Sequence, residues 1–358
     1  MAQTMESLVL PEGVVAMRGQ TGVSRRRILR AIAGGSSALA IVPVLTLGPR
    51  KAVADVDITQ FGAWLQGVRE EAAARGVSAA TLDEALNNVA YNYDVVALDQ
   101  KQPEGTMTFV DYLARVVNDN RVKAGRDLFL QHQVLLKRIG GLYGVQPRFI
   151  VSLWGIESNY GAQQGDYRIV EALATLAYEG RRAEFFRKEL LNALEILEHH
   201  DVSAGNMLGS WAGAMGQCQF MPSSYLRFAV DADGDGKRDI WNSTADVFGS
   251  IANYLASNKW NSNETWGREV KLPAQLDSKL VSLDIEKSLE EWRKLGLRRA
   301  DGGELPVIHK LNASLVRPDD TTGPAFLVYG NYKAIMNWNR STYFATAVGT
   351  LADRIEQG

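Results

Sequence analysis

Leu153-Trp154-Gly155-Ile156-Glu157-Ser158-Asn159-Tyr160-Gly161 closes a helical pattern that Pro147 opens. Phe149, Leu153, Ile156 and Tyr160 recur on one side of it, at the spacing of an α-helix. Ile150, Trp154 and Glu157 lie four and three residues apart, so Glu157 falls on an apolar stripe beside a tryptophan. Burial disfavours a carboxylate. The last turn of a helix, with its negative dipole end, disfavours it further. Both effects favour a carboxyl group still protonated near neutral pH, which is what a general acid requires. A partly buried Glu in a salt bridge or cap would show the same spacing.

Outward from this helix, residues 58–135 read as helices, with Phe61, Trp64, Leu65 and Val68, then Leu82, Ala85, Leu86 and Val89, at helical intervals. Leu128, Leu135, Leu136 and Ile139 close that region, and Gly140-Gly141 is the expected stop. Phe186, Leu190, Leu194 and Leu197 form the stripe of a helix over roughly 182–200. Residues 205–242 are Gly-rich and aperiodic, so a loop-built region is expected before helix resumes at 246–257. Val270-Lys271-Leu272, Ser314-Leu315-Val316 and Phe326-Leu327-Val328 read as short strands between turn residues. One helix is expected near 286–295, and another from 342. The expected class is α+β, mainly helical, with a small, mostly β insertion. The divisions are 1–54, 55–145 (helical), 146–266 (core), 267–330 (β-rich) and 331–358 (helical).

Two further segments carry chemistry. Residues 210–225, Ser-Trp-Ala-Gly-Ala-Met-Gly-Gln-Cys-Gln-Phe-Met-Pro-Ser-Ser-Tyr, alternate small, aromatic and amide side chains. Glycines admit a ligand to the backbone, and Gln and Ser offer donors and acceptors. Such a wall suits sugars, although a Gly-rich packed loop has the same composition. Asp231, Asp233 and Asp235 stand at positions 1, 3 and 5 of a loop with Gly236 at 6, the pattern of an EF-hand-like calcium site. Lys237 and Asp239 take the seventh and ninth places, Asn242 replaces the usual Glu at the twelfth, and Asp246 offers a substitute oxygen.

The chain has 358 residues, 46% hydrophobic and 22% charged, a globular composition large enough for more than one domain. A net charge of −2 argues against nucleic acid as an electrostatic partner. A single cysteine, Cys218, excludes an intramolecular disulfide or a thiolate metal cluster. Ser24-Arg25-Arg26-Arg27-Ile28-Leu29-Arg30, an apolar stretch to Leu47, then Arg50, Lys51 and Ala52-Val53-Ala54 have the order of a secretory leader. The paired arginines resemble the twin-arginine export signal. The apolar run contains Gly34, Gly35, Ser36, Ser37 and Pro43 and is marginal for a membrane span, so a periplasmic protein without a stable membrane anchor is expected. Seven of the 39 basic and two of the 41 acidic residues lie in the leader, leaving about −7 on the remainder.

Taken in order, these pieces resemble the family B lytic murein transglycosylases, exported enzymes with a lysozyme-like core that cut peptidoglycan strands. The most specific matches are WGIESNYG, Ala172 to Tyr178, GRRAEFF at 180–186, GSWAGAMG with QFMPSSY, DADGDG and Ile251-Ala252-Asn253-Tyr254. The resemblance implies that Glu157 is a single acid/base. It places Ser158, Ser210, Gln219, Tyr254, Asn339 and Tyr343 at the sugar cleft, and Ca2+ in the Asp231 loop. Where the family usually has Tyr before Ala345, this chain has Phe344, with Tyr343 one place earlier. The implied reaction leaves 1,6-anhydromuramoyl ends. The rivals are a hydrolytic muramidase and a catalytically silent peptidoglycan-binding scaffold, and wall-synthesis proteins are possible partners. Attraction over distance cannot capture an anionic glycan on a chain near −7. Short contacts from Trp211, Tyr254 and Gln219 are expected to do so, with a basic cleft around Arg181 and Arg182 as the alternative.

Overall fold

The computed structural model describes residues 56–101, 107–319 and 323–357; the expected leader lies outside them. Helices α1 (Phe61–Ala74), α2 (Ala79–Leu86), α3 (Tyr93–Gln100), α4 (Phe109–Val116), α5 (Asp119–Gln131) and α6 (Gln133–Tyr143) come first. Ser78, Asn92, Thr108 and Asn118 cap α2 to α5 by accepting first-turn N–H groups, donors that a helix start leaves unpaired. Helix α6 passes through Gly140-Gly141, the expected stop. It ends at Gly144, whose φ of 65° is the left-handed C-cap.

Next come α7 (Pro147–Ser158), the hairpin of α8 (Ile169–Glu179) and α9 (Ala183–Glu198), then α10 (Pro222–Phe228) and α11 (Thr244–Ser257). Helix α10 lies inside the stretch expected to be loop. Its seven residues are too few to show a period, and its start is fixed from outside: Glu189 of α9 accepts the Ser223 N–H at 2.8 Å and its hydroxyl at 2.7 Å. Strands β1 (Tyr167–Arg168) and β2 (Leu208–Gly209) pair antiparallel beside the Gly-rich stretch.

A five-stranded antiparallel sheet follows, built from β3 (Gly267–Lys271), β4 (Ser282–Ser288), β5 (Arg298–Arg299), β6 (Asn312–Val316) and β7 (Ala325–Val328). Its order is β4-β6-β7-β3-β5, with Gly267 opposite Val328 and Leu315 opposite Leu327. Residues 286–288 are strand. The helix expected near 286–295 is α12 (Leu289–Lys294), set by a capping box between Ser288 and Glu291. Trp292 fills a separate core under the sheet, and its indole N–H donates to the Ala313 carbonyl at 2.9 Å. Helices α13 (Gly330–Trp338) and α14 (Thr342–Glu356) end the fold, both in the division expected to be helical from 331, where the sequence marks a start only for the second, at 342.

Helix α7 is enclosed by α5, α6, α11 and α14. Every residue from Phe149 to Gly155 is buried, as befits a helix apolar on all sides. Ser152 meets this burial by donating its hydroxyl to the Val348 carbonyl of α14 at 2.7 Å. Beyond the helix, Asn159, Tyr160 and Gly161 carry φ of 50°, 60° and 83°. A left-handed tyrosine costs on the order of 1 kcal/mol. It is held by a hydrogen bond from its hydroxyl to the Arg121 carbonyl at 2.8 Å and by an edge contact with Trp154. Gly155 makes the room: a Cβ there would stand 2.5 Å from the Tyr160 ring.

Candidate active site

The left-handed turn fixes Glu157 in the last turn of α7, with part of the residue open to the surface and its carboxylate enclosed by protein atoms. Burial pushes this carboxyl up to about 8, against one opposing hydrogen bond. That bond comes from the Trp338 indole N–H, 2.6 Å from Oε1. Hydrogen bonding to the charged form pulls the other way from desolvation, and desolvation wins. No other carboxylate among the described residues acts on the titration of Glu157. Its charge is felt instead by the Tyr112 phenol of α4 and the buried Cys218 thiol, both pushed up, first by burial and then by Glu157.

Trp338 is set by an aromatic stack. Its ring lies 4.6 Å from Tyr254 and 5.0 Å from Phe220, centroid to centroid. The Tyr254 hydroxyl donates to the Asn337 carbonyl at 2.7 Å. Tyr254 is therefore buried and hydrogen-bonded inward, holding the indole that touches Glu157, where the sequence suggested a sugar contact.

The Gly-rich wall follows beside this stack. The Ser210 hydroxyl accepts the Ala214 N–H at 3.0 Å, and the residue stays half-buried. Gln219 has a left-handed φ of 49°, and its amide nitrogen donates to the Gln164 and Gly216 carbonyls at 2.9 and 2.8 Å. Its two N–H groups thus face the protein, so the carbonyl oxygen is what it offers a ligand. Ser158 does not reach the surface. It is fully buried, accepting the Gly161 N–H at 3.0 Å and donating to the Trp154 carbonyl at 3.3 Å. Asn339 is half-buried and accepts the Ser341 N–H at 3.0 Å, at the start of α14. The Tyr343 hydroxyl donates to Asp319, and Phe344 is buried. Arg181 and Arg182 both pair with the buried carboxylate of Asp99, and Arg182 covers the Phe186 ring. They brace α9 against α3.

In the acidic loop, carboxylate oxygens of Asp231, Asp233 and Asp246 lie within 4.8 Å of one another. Asp246, at the first turn of α11, is wholly buried and accepts the Ala232 and Asp239 N–H groups, both at 2.7 Å. Burial, with Asp233 and Asp231 adding to it, pushes Asp246 up to about 6 against those two donors. The Asp235 carboxylate accepts the Lys237 N–H, and Asp239 accepts from Trp241 and Asn242. These three residues shape the loop and stand outside that group of oxygens.

Residues 60–353 match the family described as the Transglycosylase SLT domain. The chain belongs to the family B lytic murein transglycosylases. This transglycosylase is 34% identical to the membrane-bound lytic murein transglycosylase B of Escherichia coli K12 over 261 residues, 71% of this chain and 70% of that protein. SltB3 from Pseudomonas aeruginosa, solved with NAG-NAM-pentapeptide and separately with NAG-anhNAM-pentapeptide, is 45% identical. It aligns with TM-scores of 0.81 and 0.80 over 83% of this chain and 80% of that one. The Escherichia coli lytic transglycosylase SLT35, solved in complex with calcium, is 30% identical, with a TM-score of 0.70 over 83% of this chain and 93% of that one.

Three residues that bear on Glu157 or on the helix carrying it were missed in the sequence. Trp338 lies 181 positions from Glu157 and ends α13, for which the sequence offered no boundary of its own within the helical division from 331. Tyr112 sits in α4, whose own pattern was not singled out. Gln217 is buried behind α7, accepting the Trp154 indole N–H at 2.7 Å and donating to the Trp241 carbonyl at 2.8 Å. An amide within a Gly-rich run was the available signal, and it pointed to Gln219 instead.

Proposed function

We propose that this enzyme cleaves the β-1,4 bond between N-acetylmuramic acid and N-acetylglucosamine in peptidoglycan, with Glu157 as its single acid/base. The observation that carries the proposal is the state of Glu157: enclosed, touched by one neutral donor, and pushed up to about 8, so that it holds a proton at neutral pH. It gives that proton to the glycosidic oxygen as the bond from C1 breaks. The N-acetyl carbonyl of the same muramoyl unit supports the cationic carbon. Glu157 is then a carboxylate, stabilised by the Trp338 N–H, and it takes the proton from the muramic C6 hydroxyl as O6 bonds to C1. One proton leaves and one returns, and the product carries a 1,6-anhydro ring. A pair of carboxylates across the bond is the usual glycosidase arrangement; here the substrate's own groups serve in place of the second carboxylate and of water.

Asp231, Asp233 and Asp246 are assigned a structural calcium ion. Three converging carboxylates, one of them wholly buried, suit a hard cation. When bound it would neutralise their repulsion and tie the loop to α11. The leader is assigned to export into the periplasm, where the substrate lies. No helix among the described residues is long and apolar enough to cross a membrane.

Mass spectrometry of products from purified sacculi tests the reaction. Anhydromuramoyl ends are expected, and Glu157→Gln should abolish them, a loss of at least about 10²–10⁴-fold. Reducing muramic ends would make the protein a hydrolytic muramidase, and no product at all would make it a glycan-binding scaffold.

A further inference from the structure

Asp319, just beyond β6, joins three separate elements through one carboxylate. Its Oδ1 and Oδ2 lie 2.8 and 3.0 Å from the backbone nitrogen of Phe109, the first residue of α4, and the N–H donates to them. The Tyr343 hydroxyl of α14 donates to the same carboxylate. Phe109 is fully buried, its ring between Phe326 of β7 at 6.0 Å and Tyr343 at 5.3 Å.

This grip matters because α4 is only eight residues long, and a helix so short takes its position from its contacts. The Phe109 N–H is one of the donors a helix start leaves orphaned, and a carboxylate there also complements the positive end of the helix dipole. Three residues on, and so on the same face, is Tyr112, its ring 5.5 Å from Tyr343. Glu157 acts on the Tyr112 phenol electrostatically. We propose that Asp319 is a positioning residue for glycan cleavage, seating the first turn of α4 so that Tyr112 packs on Tyr343 within electrostatic reach of Glu157. The β-rich insertion thereby contributes to the catalytic cleft without lending it a side chain. Tyr343, expected at the cleft, serves instead as the second anchor of this clamp.

The inference rests on the transglycosylase reading, and the experiment separates the two. Steady-state release of anhydro product from soluble glycan strands is measured for the wild type, Asp319→Ala, Asp319→Asn, Tyr112→Phe and the Asp319→Ala/Tyr112→Phe double variant, with melting curves for each. Wild-type protein that makes no anhydro product refutes the activity itself. Given wild-type activity, Asp319→Ala should lower kcat by about tenfold to a hundredfold, the scale of an ångström's misplacement, with KM nearly unchanged. Asp319→Asn keeps an acceptor for the Phe109 N–H and should recover most of that loss. The double variant should be no slower than the slower single variant, because both changes remove the same contribution. Multiplying losses, a rise in KM with kcat intact, or a loss that merely tracks the folded fraction would each overturn the proposal. Should Asp319→Ala fail to fold, Tyr343→Phe, which removes the other donor to the Asp319 carboxylate, takes its place in the cycle with Tyr112→Phe under the same expectation.

Discussion

Replacing Trp338 with Phe removes the one side-chain donor on Glu157 among the described residues and leaves an aromatic ring in the stack with Tyr254 and Phe220. A hydrogen bond to a charged group contributes about 1.5–3 kcal/mol. It favours the carboxylate, so its loss raises a carboxyl already at about 8. At about 1.4 kcal/mol per pH unit the rise is about one to two units at most. In the proposed mechanism the first step needs protonated Glu157, so the basic limb of kcat/KM against pH, which reports the free enzyme's acid, should move to higher pH by that amount. The same lost bond would have stabilised the carboxylate formed during cleavage. The plateau rate should therefore fall by about tenfold to a hundredfold, at about 1.4 kcal/mol per factor of ten. Trp338→Phe should be slower than the wild type and yet hold its rate to higher pH. A profile that keeps its basic limb in place, or moves it to lower pH, would mean that the indole does not tune Glu157.

Glu157→Gln should also change stability with a definite sign. The native carboxyl is raised from 4.5 to about 8, so the folded protein keeps a proton that the unfolded chain releases, and wild-type stability falls as pH rises through that window. The glutamine variant should melt increasingly above the wild type from pH 5 to 8, by a few kcal/mol at about 1.4 per unit; parallel melting curves would contradict the burial argument. Gln217→Leu leaves the Trp154 indole N–H unpaired and takes from the Trp241 carbonyl one of its two donors, the other being the Gln164 amide, and denaturant titration should show a loss of about 1–3 kcal/mol. A loss below about 1 kcal/mol, the low end of that range, would show that another partner replaces the amide. Calcium at a hundredfold excess over its dissociation constant should stabilise the fold by about 2.7 kcal/mol. Equal melting with calcium and with a chelator, unaltered by Asp233→Ala, would reduce the acidic loop to a turn.

What the sequence disclosed was local. A carboxylate three places from a tryptophan on an apolar stripe is visible within one helix, and so were its burial and the direction of its titration. The aspartates at alternate positions are equally local, and Asp246 lies close enough in sequence to be considered with them. Contacts made across the fold were hidden. Trp338 reaches Glu157 only after a five-stranded sheet has been laid between them in sequence, and no period in α13 announces which side chain will face the cleft. Ser158 misled because its place beside Glu157 suggests exposure, whereas the left-handed turn folds its hydroxyl back onto Gly161. Tyr254 misled in the opposite sense, since an aromatic beside a glycan cleft can as easily hold another ring as a sugar.

The distance along the chain between Glu157 and Trp338 also sets an order of events during synthesis. A ribosome works from the N-terminus, so α7 emerges well before the indole that touches its glutamate. Until α13 is made and docked, Glu157 lacks that partner, and the wall of rings that shuts out water is incomplete. With burial reduced, its carboxyl should lie closer to an ordinary exposed glutamate, ionised at neutral pH. A nascent or prematurely terminated chain that ends before residue 338 therefore carries Glu157 without the environment that keeps it protonated. On the proposed mechanism competence arrives with the last helices, so a truncated product should be inert toward the wall even when it still holds the motif that surrounds Glu157.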